Sequence, residues 1–96
     1  MKIKILDEAE EDIINGIKFY EAQKEGLGRY FYETILSDIN SLQIYAGIHI
    51  KIDGYYRLLS KRFPFAIYYK YDKNTIFIYA VLDCRKNPTW IKNRLR

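Results

Sequence analysis

Apolar positions recur along this chain with two different periods, and the change of period divides it. Residues 2–6, Lys-Ile-Lys-Ile-Leu, alternate polar and apolar, which predicts a short strand with one buried face. The period then lengthens. Ala9, Ile13, Ile17 and Tyr20 recur every three or four residues and predict an amphipathic helix from Asp7 to Lys24. Asp7 stands where an N-cap is expected, with Glu10 in the capping-box position, and Glu8, Glu10, Glu11 and Asp12 put negative charge where a helix dipole favours it. Glu25-Gly26-Leu27-Gly28 is a reversal signal. A second helix is predicted from Arg29 to Tyr45, with Phe31, Ile35, Ile39 and Leu42 on one face. The short connection makes the two an antiparallel αα-hairpin.

Residues 46–54 form a connector in which Ile48, Ile50 and Ile52 alternate, so that part of it can pair as a strand. Three runs rich in aromatic and β-branched residues follow, at 55–61, 65–71 and 75–82, separated by turn-type residues. They predict a β-meander. Pro64 has no N–H and marks a turn or the start of an edge strand. The run Ile76–Leu82 is apolar on both faces and is expected to be the most buried strand. Asn87-Pro88 reads as an N-cap followed by Pro at the first helical position, with Ile91 and Leu95 on one side of a short helix. The expected fold is α+β and two-layered: an N-terminal strand, an αα-hairpin packed on one face of an antiparallel sheet of four to five strands, and a short C-terminal helix. Nine aromatic residues lie between Tyr55 and Tyr79, more than one side of a small sheet can hide, so the second face is expected to be open to solvent or a partner.

Ninety-six residues suffice for one domain, 1–96, with one two-layer core. A single cysteine, Cys84, forms no internal disulfide and points to a reducing compartment, the cytoplasm. No signal peptide and no membrane span is expected. The net charge of +4 conceals a division. Residues 1–56 carry six Lys/Arg and ten Asp/Glu, net −4; residues 57–96 carry ten Lys/Arg and two Asp/Glu, net +8. One positive surface attracts nucleic acid or an acidic protein; the alternative is a solvated basic face.

Candidate partner-binding residues are Arg57, Lys61, Arg62, Arg85, Lys86 and Trp90. Arg85 and Lys86 end the last strand and either contact an anionic group or form a solvated strand end paired with Asp83. Arg57, Lys61 and Arg62 extend the basic surface or serve as charges that keep a sheet edge from aggregating. Trp90 either anchors a partner or packs the C-terminal helix onto the sheet. His49, the sole histidine, lacks the company a zinc site needs, although its pKa suits a general base. Cys84 has no base at an obvious spacing. No cofactor and no metal is expected.

Several stretches in order resemble a known family: Gly26-Leu27-Gly28 between the helices, Arg62-Phe-Pro-Phe-Ala-Ile-Tyr-Tyr69, and Ala80-Val-Leu-Asp-Cys-Arg-Lys-Asn-Pro-Thr-Trp90. Together they resemble the RelE/ParE toxin superfamily of bacterial type II toxin–antitoxin modules, over nearly the whole chain. The ParE-like branch, often labelled plasmid stabilisation proteins, is the most similar. The resemblance implies a RelE-like fold, a cognate antitoxin as partner, and growth inhibition by binding DNA gyrase. The RelE-like branch instead cuts mRNA on the ribosome. Ala66 stands where such nucleases carry an arginine, and Trp90 and Ile91 occupy the neighbourhood of their C-terminal catalytic tyrosine. Arg85 falls at an arginine that both branches tend to carry. The alternatives are therefore a ribosome-dependent mRNA endoribonuclease and a degenerate member that only binds antitoxin.

Overall fold

The computed structural model describes residues 1–96. Its elements are β1 (Lys2–Ile5), α1 (Asp7–Gln23), α2 (Leu27–Asn40), α3 (Leu42–Tyr45), β2 (Lys51–Ile52), β3 (Tyr55–Leu59), β4 (Phe65–Asp72), β5 (Thr75–Asp83) and α4 (Pro88–Arg94). The five strands form one sheet in the order β1-β5-β4-β3-β2. β2 to β5 pair antiparallel, whereas β1 runs parallel to β5, with Ile3 opposite Ile76 and Ile5 opposite Ile78. The sheet is thus mixed rather than wholly antiparallel. The α1–α2 hairpin carries the chain from β1 at one edge of the sheet to β2 at the other, and the β2–β5 meander then returns to place β5 beside β1. No helix is long and apolar enough to cross a membrane.

The hairpin packs on one face. Ala9, Ile13 and Tyr20 of α1 and Phe31, Ile35 and Ile39 of α2 meet Ile67, Tyr69, Ile76, Ile78 and Val81. The two helices approach closely because two positions lack a Cβ. A Cβ on Gly16 would lie 2.5 Å from the Phe31 ring, and one on Gly28 would lie 2.7 Å from the Ile17 carbonyl oxygen. Gly26 turns the chain at φ +87°. The start of α2 is capped from a distance: the Glu21 carboxylate accepts from the N–H groups of Gly26 (3.1 Å) and Gly28 (3.0 Å), placing negative charge at the positive end of the helix.

Several local expectations need correction. Asp7 is not an N-cap; Leu6 holds that position without a side-chain bond, and Asp7 is the first helical residue. The second helix breaks at Ser41, whose hydroxyl donates to the Asp38 carbonyl (2.6 Å), a local bond that competes with helix continuation. The connector does pair in part, as its alternation predicts: Lys51 and Ile52 pair with β3, while Ile48 and Ile50 are exposed. Asn87 does cap α4, its side chain accepting from the Thr89 N–H (2.8 Å).

The second face is not wholly open. A β-bulge shifts the β4–β5 register between Tyr68 and Tyr69, where Tyr68 pairs with Ala80 but Tyr69 with Ile78. Tyr79 is the extra residue. The bulge sends Ile76, Ile78 and Val81 to the helix face and Ala80 and Leu82 to the other, where they form a second core with Ala66, Tyr68 and Leu95. α4 therefore closes one half of that face through Leu95 and Ile91.

Gly16→Ala is expected to destabilise the chain by about 1–2 kcal/mol, because overpacking costs ~1–3 kcal/mol and helix propensity returns at most ~1. Urea unfolding of the variant checks this; unchanged or raised stability would show that the two helices do not sit at this spacing.

Candidate functional site

The basic loops that end the meander lie together at one end of the sheet. Phe65 opens β4 opposite Asp83, the last residue of β5, and the Cys84 N–H donates to the Pro64 carbonyl (2.8 Å). The β3–β4 loop, carrying Lys61 and Arg62, thus adjoins the β5–α4 loop, carrying Arg85 and Lys86. Two depressions flank this end.

The first is a groove of about 330 Å³ between α1, the end of β5 and α4. Phe65, Val81 and Leu82 line it with apolar surface, together with the half-exposed rings of Phe19 and Trp90. Lys86 sits beside it with its ammonium 5.4 Å from the centre of the Trp90 ring, and the Arg94 guanidinium lies 5.8 Å from the same ring. Trp90 therefore does not pack α4 onto the sheet; Ile91 and Leu95 do that, and the indole is left on the groove wall.

Two carboxylates border the groove, and each is neutralised by an arginine. Asp83 holds Arg85 in a bidentate pair (Nε–Oδ1 2.9 Å, Nη2–Oδ2 2.6 Å) and also accepts the Arg85 backbone N–H (2.8 Å). Those bonds hold the Asp83 carboxyl below the usual carboxylate range, burial opposing them. Asp12 accepts two bonds from Arg94 (2.7 and 2.9 Å) and one from the Val81 N–H (3.0 Å). One α1 side chain thus ties α4 to β5. The acidic stretch Glu8–Asp12 reads as helix-end electrostatics alone, and nothing in it singles out Asp12. Its one signal is position: it lies four residues before Gly16, beside the buried stripe. With both arginines engaged, Lys86 is the cation of this groove without a carboxylate partner.

The second depression lies between α2 and the β3–β4 loop and is polar. It is lined by Tyr30, Glu33, Thr34, Asp38, Lys61 and Arg62. Arg62 donates to the Tyr30 hydroxyl (2.9 Å), and the buried Asp38 accepts from Ser60 Oγ (2.6 Å), fixing the loop to α2.

Arg57 belongs to neither depression. It lies on the second face opposite Tyr68, and its Nε is buried without a hydrogen-bond partner. Burial pushes the neighbouring Tyr68 hydroxyl above its ordinary pKa, and Cys84, which follows β5, is exposed. His49 is elsewhere. It meets the buried Tyr69 hydroxyl, which also accepts the Gly47 N–H (2.9 Å). The His49 tautomer sets which of Nδ1 and the Tyr69 hydroxyl donates in their bond. Burial lowers the His49 pKa, in keeping with a neutral ring. Ala66, at the position where the nuclease branch carries an arginine, is fully buried in the cluster that contains Leu95. No group of three His, Cys, Asp or Glu side chains is arranged to hold a metal.

Comparison with solved structures places this architecture. A chain of the chromosomal ParDE TA system from P. aeruginosa superposes with a TM-score of 0.72 at 20% identity, covering 84% of this chain and 92% of that one. This chain has a ParE-like fold. No protein-family model matches the sequence, and no curated protein matches it significantly. At such identity the likeness concerns the fold.

Asp12→Ala should free α4, since it leaves the Val81 N–H and Arg94 without their acceptor. A loss of about 1–3 kcal/mol is expected in urea unfolding, with faster amide exchange in α4. Wild-type exchange in α4 would mean that Asp12 is not what anchors it.

Proposed function

We propose that this protein is a ParE-like toxin of a bacterial type II toxin–antitoxin module, acting in the cytoplasm by binding DNA gyrase and silenced by a cognate antitoxin. One observation carries the reading: the fold likeness to a chain of a ParDE system across 84% of the sequence. The site chemistry supports binding rather than catalysis. The groove joins apolar surface to two half-exposed rings and one unpaired ammonium, which suits a protein segment carrying an apolar anchor near a carboxylate. RNA cleavage needs a base for the 2′-hydroxyl and an acid for the leaving oxygen. Burial raises the pKa of Tyr68 beside Arg57, the sole histidine is bonded to Tyr69, and Ala66 is buried in the cluster that contains Leu95. Plasmid or chromosome maintenance is the corresponding physiological role.

Induced expression in a bacterial host tests the reading. Growth arrest, inhibited gyrase supercoiling in vitro, and rescue by the product of an adjacent small gene are expected. Cleaved transcripts with active gyrase would indicate the endoribonuclease instead, and normal growth a degenerate antitoxin-binding member. Arg85→Glu sets a second carboxylate beside Asp83 and reverses charge at the groove end. It should weaken gyrase inhibition about tenfold, or ~1.4 kcal/mol of binding, in a folded protein. Full potency in that variant would remove Arg85 from the contact surface.

A further inference from the structure

The bulge and α4 leave the other half of the second face uncovered, towards the β4–β5 turn. There the strand register sets a row across the sheet. Lys4 of β1 pairs with Phe77 of β5, and Phe77 pairs with Lys70 of β4. The Lys70 ammonium continues the row over the Tyr55 ring of β3, 4.5 Å from its centre. Tyr79, the bulge residue, meets Tyr55 edge-on at 5.2 Å. Lys2 lies two residues before Lys4 on the same face and continues the basic surface towards the turn, where Asp72 is the one carboxylate of the adjoining row.

No carboxylate pairs with the lysines here. All four ion pairs of the structure use arginines, and no lysine is paired. The Phe77 ring joins no aromatic pair, while the other aromatics of this face are stacked edge-on or covered by Lys70. Residues two apart on a strand are ~6.8 Å apart, and two strand spacings separate Lys4 from Lys70 by ~9.5 Å, with the ring between them. Cations flanking a part-exposed ring suit a chain of alternating anions and flat bases. An acidic peptide would satisfy the lysines but has no use for the ring.

We propose that this half-face, centred on Lys4, Phe77 and Lys70, is a docking platform for single-stranded nucleic acid, held by phosphate contacts and by one base stacked on Phe77, without sequence readout. The platform is separate from the groove at the opposite end of the sheet and does not depend on the toxin reading. It needs no catalytic group.

The test is fluorescence anisotropy with labelled oligothymidylate and oligouridylate of about twelve nucleotides, within the range of known single-strand site sizes. Both should bind alike. Log affinity should fall against log salt with a slope of about −2, as expected for three phosphates neutralised on a single strand. Lys4→Glu/Lys70→Glu should weaken binding at least about tenfold, a loss of ~1.4 kcal/mol. Phe77→Leu keeps the apolar volume and should weaken binding several-fold without changing the salt slope. A charge-matched control, Lys18→Glu/Lys24→Glu on α1, should bind as wild type. Gyrase inhibition, read in parallel, keeps the two proposals apart. Absence of binding at about 50 mM salt would overturn the proposal. So would equal loss in the α1 control, which indicates net charge alone, or equal competition by a polyglutamate peptide, which indicates an acidic protein ligand.

Discussion

Strand β5 has to serve two cores at once, and a single extra residue makes this possible. An unbroken strand would send Ile76, Ile78, Ala80 and Leu82 all to one side. With Tyr79 bulged, the first two face the helix hairpin while Ala80 and Leu82 face the opposite side. The apolar run that the sequence places at 75–82 is thereby divided between the large cluster under α1 and α2 and the small one under α4. Without that division α4 would meet the bulkier Tyr79 and Val81 in place of Ala80 and Leu82, the residues that now pack with Leu95.

Electrostatics then follows a division of labour between the two kinds of cation. Arginines make the fixed pairs: Arg85 with Asp83, Arg94 with Asp12, and Arg29 with Glu33 on an exposed helix surface. Their planar, multidentate donors suit that role. Lysines remain as free point charges, Lys86 at the groove and Lys2, Lys4 and Lys70 on the open half-face. The basic C-terminal half of the chain is therefore not one surface. Together with Lys2 and Lys4 of the N-terminal strand, its cations separate into a structural set and two exposed sets at opposite ends of the sheet.

Much of this was legible before any coordinates. The two helices, the three long strands and the Asn87-Pro88 start of the last helix follow from periodicity and from turn chemistry that has only local causes. What escaped has nonlocal causes. The parallel pairing of Lys2–Ile5 depends on where a distant strand lies. The bulge leaves no mark in a run that is apolar at almost every position. Trp90 shows the limit at the site: helical spacing puts Ile91 and Leu95 on one side, but only the packed helix shows that the indole falls on the groove wall. Asp12 is the clearest omission, since a carboxylate in an acidic first turn has an adequate local explanation, and its bonds to Val81 and Arg94 join residues 69 and 82 positions away.

The groove and the open half-face both depend on α4 lying against the second face of the sheet and closing one half of it. Nuclear Overhauser contacts in methyl-labelled protein test this directly. Contacts from the Leu95 methyls to the methyls of Ala66 and Ala80 are the predicted result. Contacts from Leu95 to Ile35 or Ile39 of the hairpin core, or none at all, would contradict it.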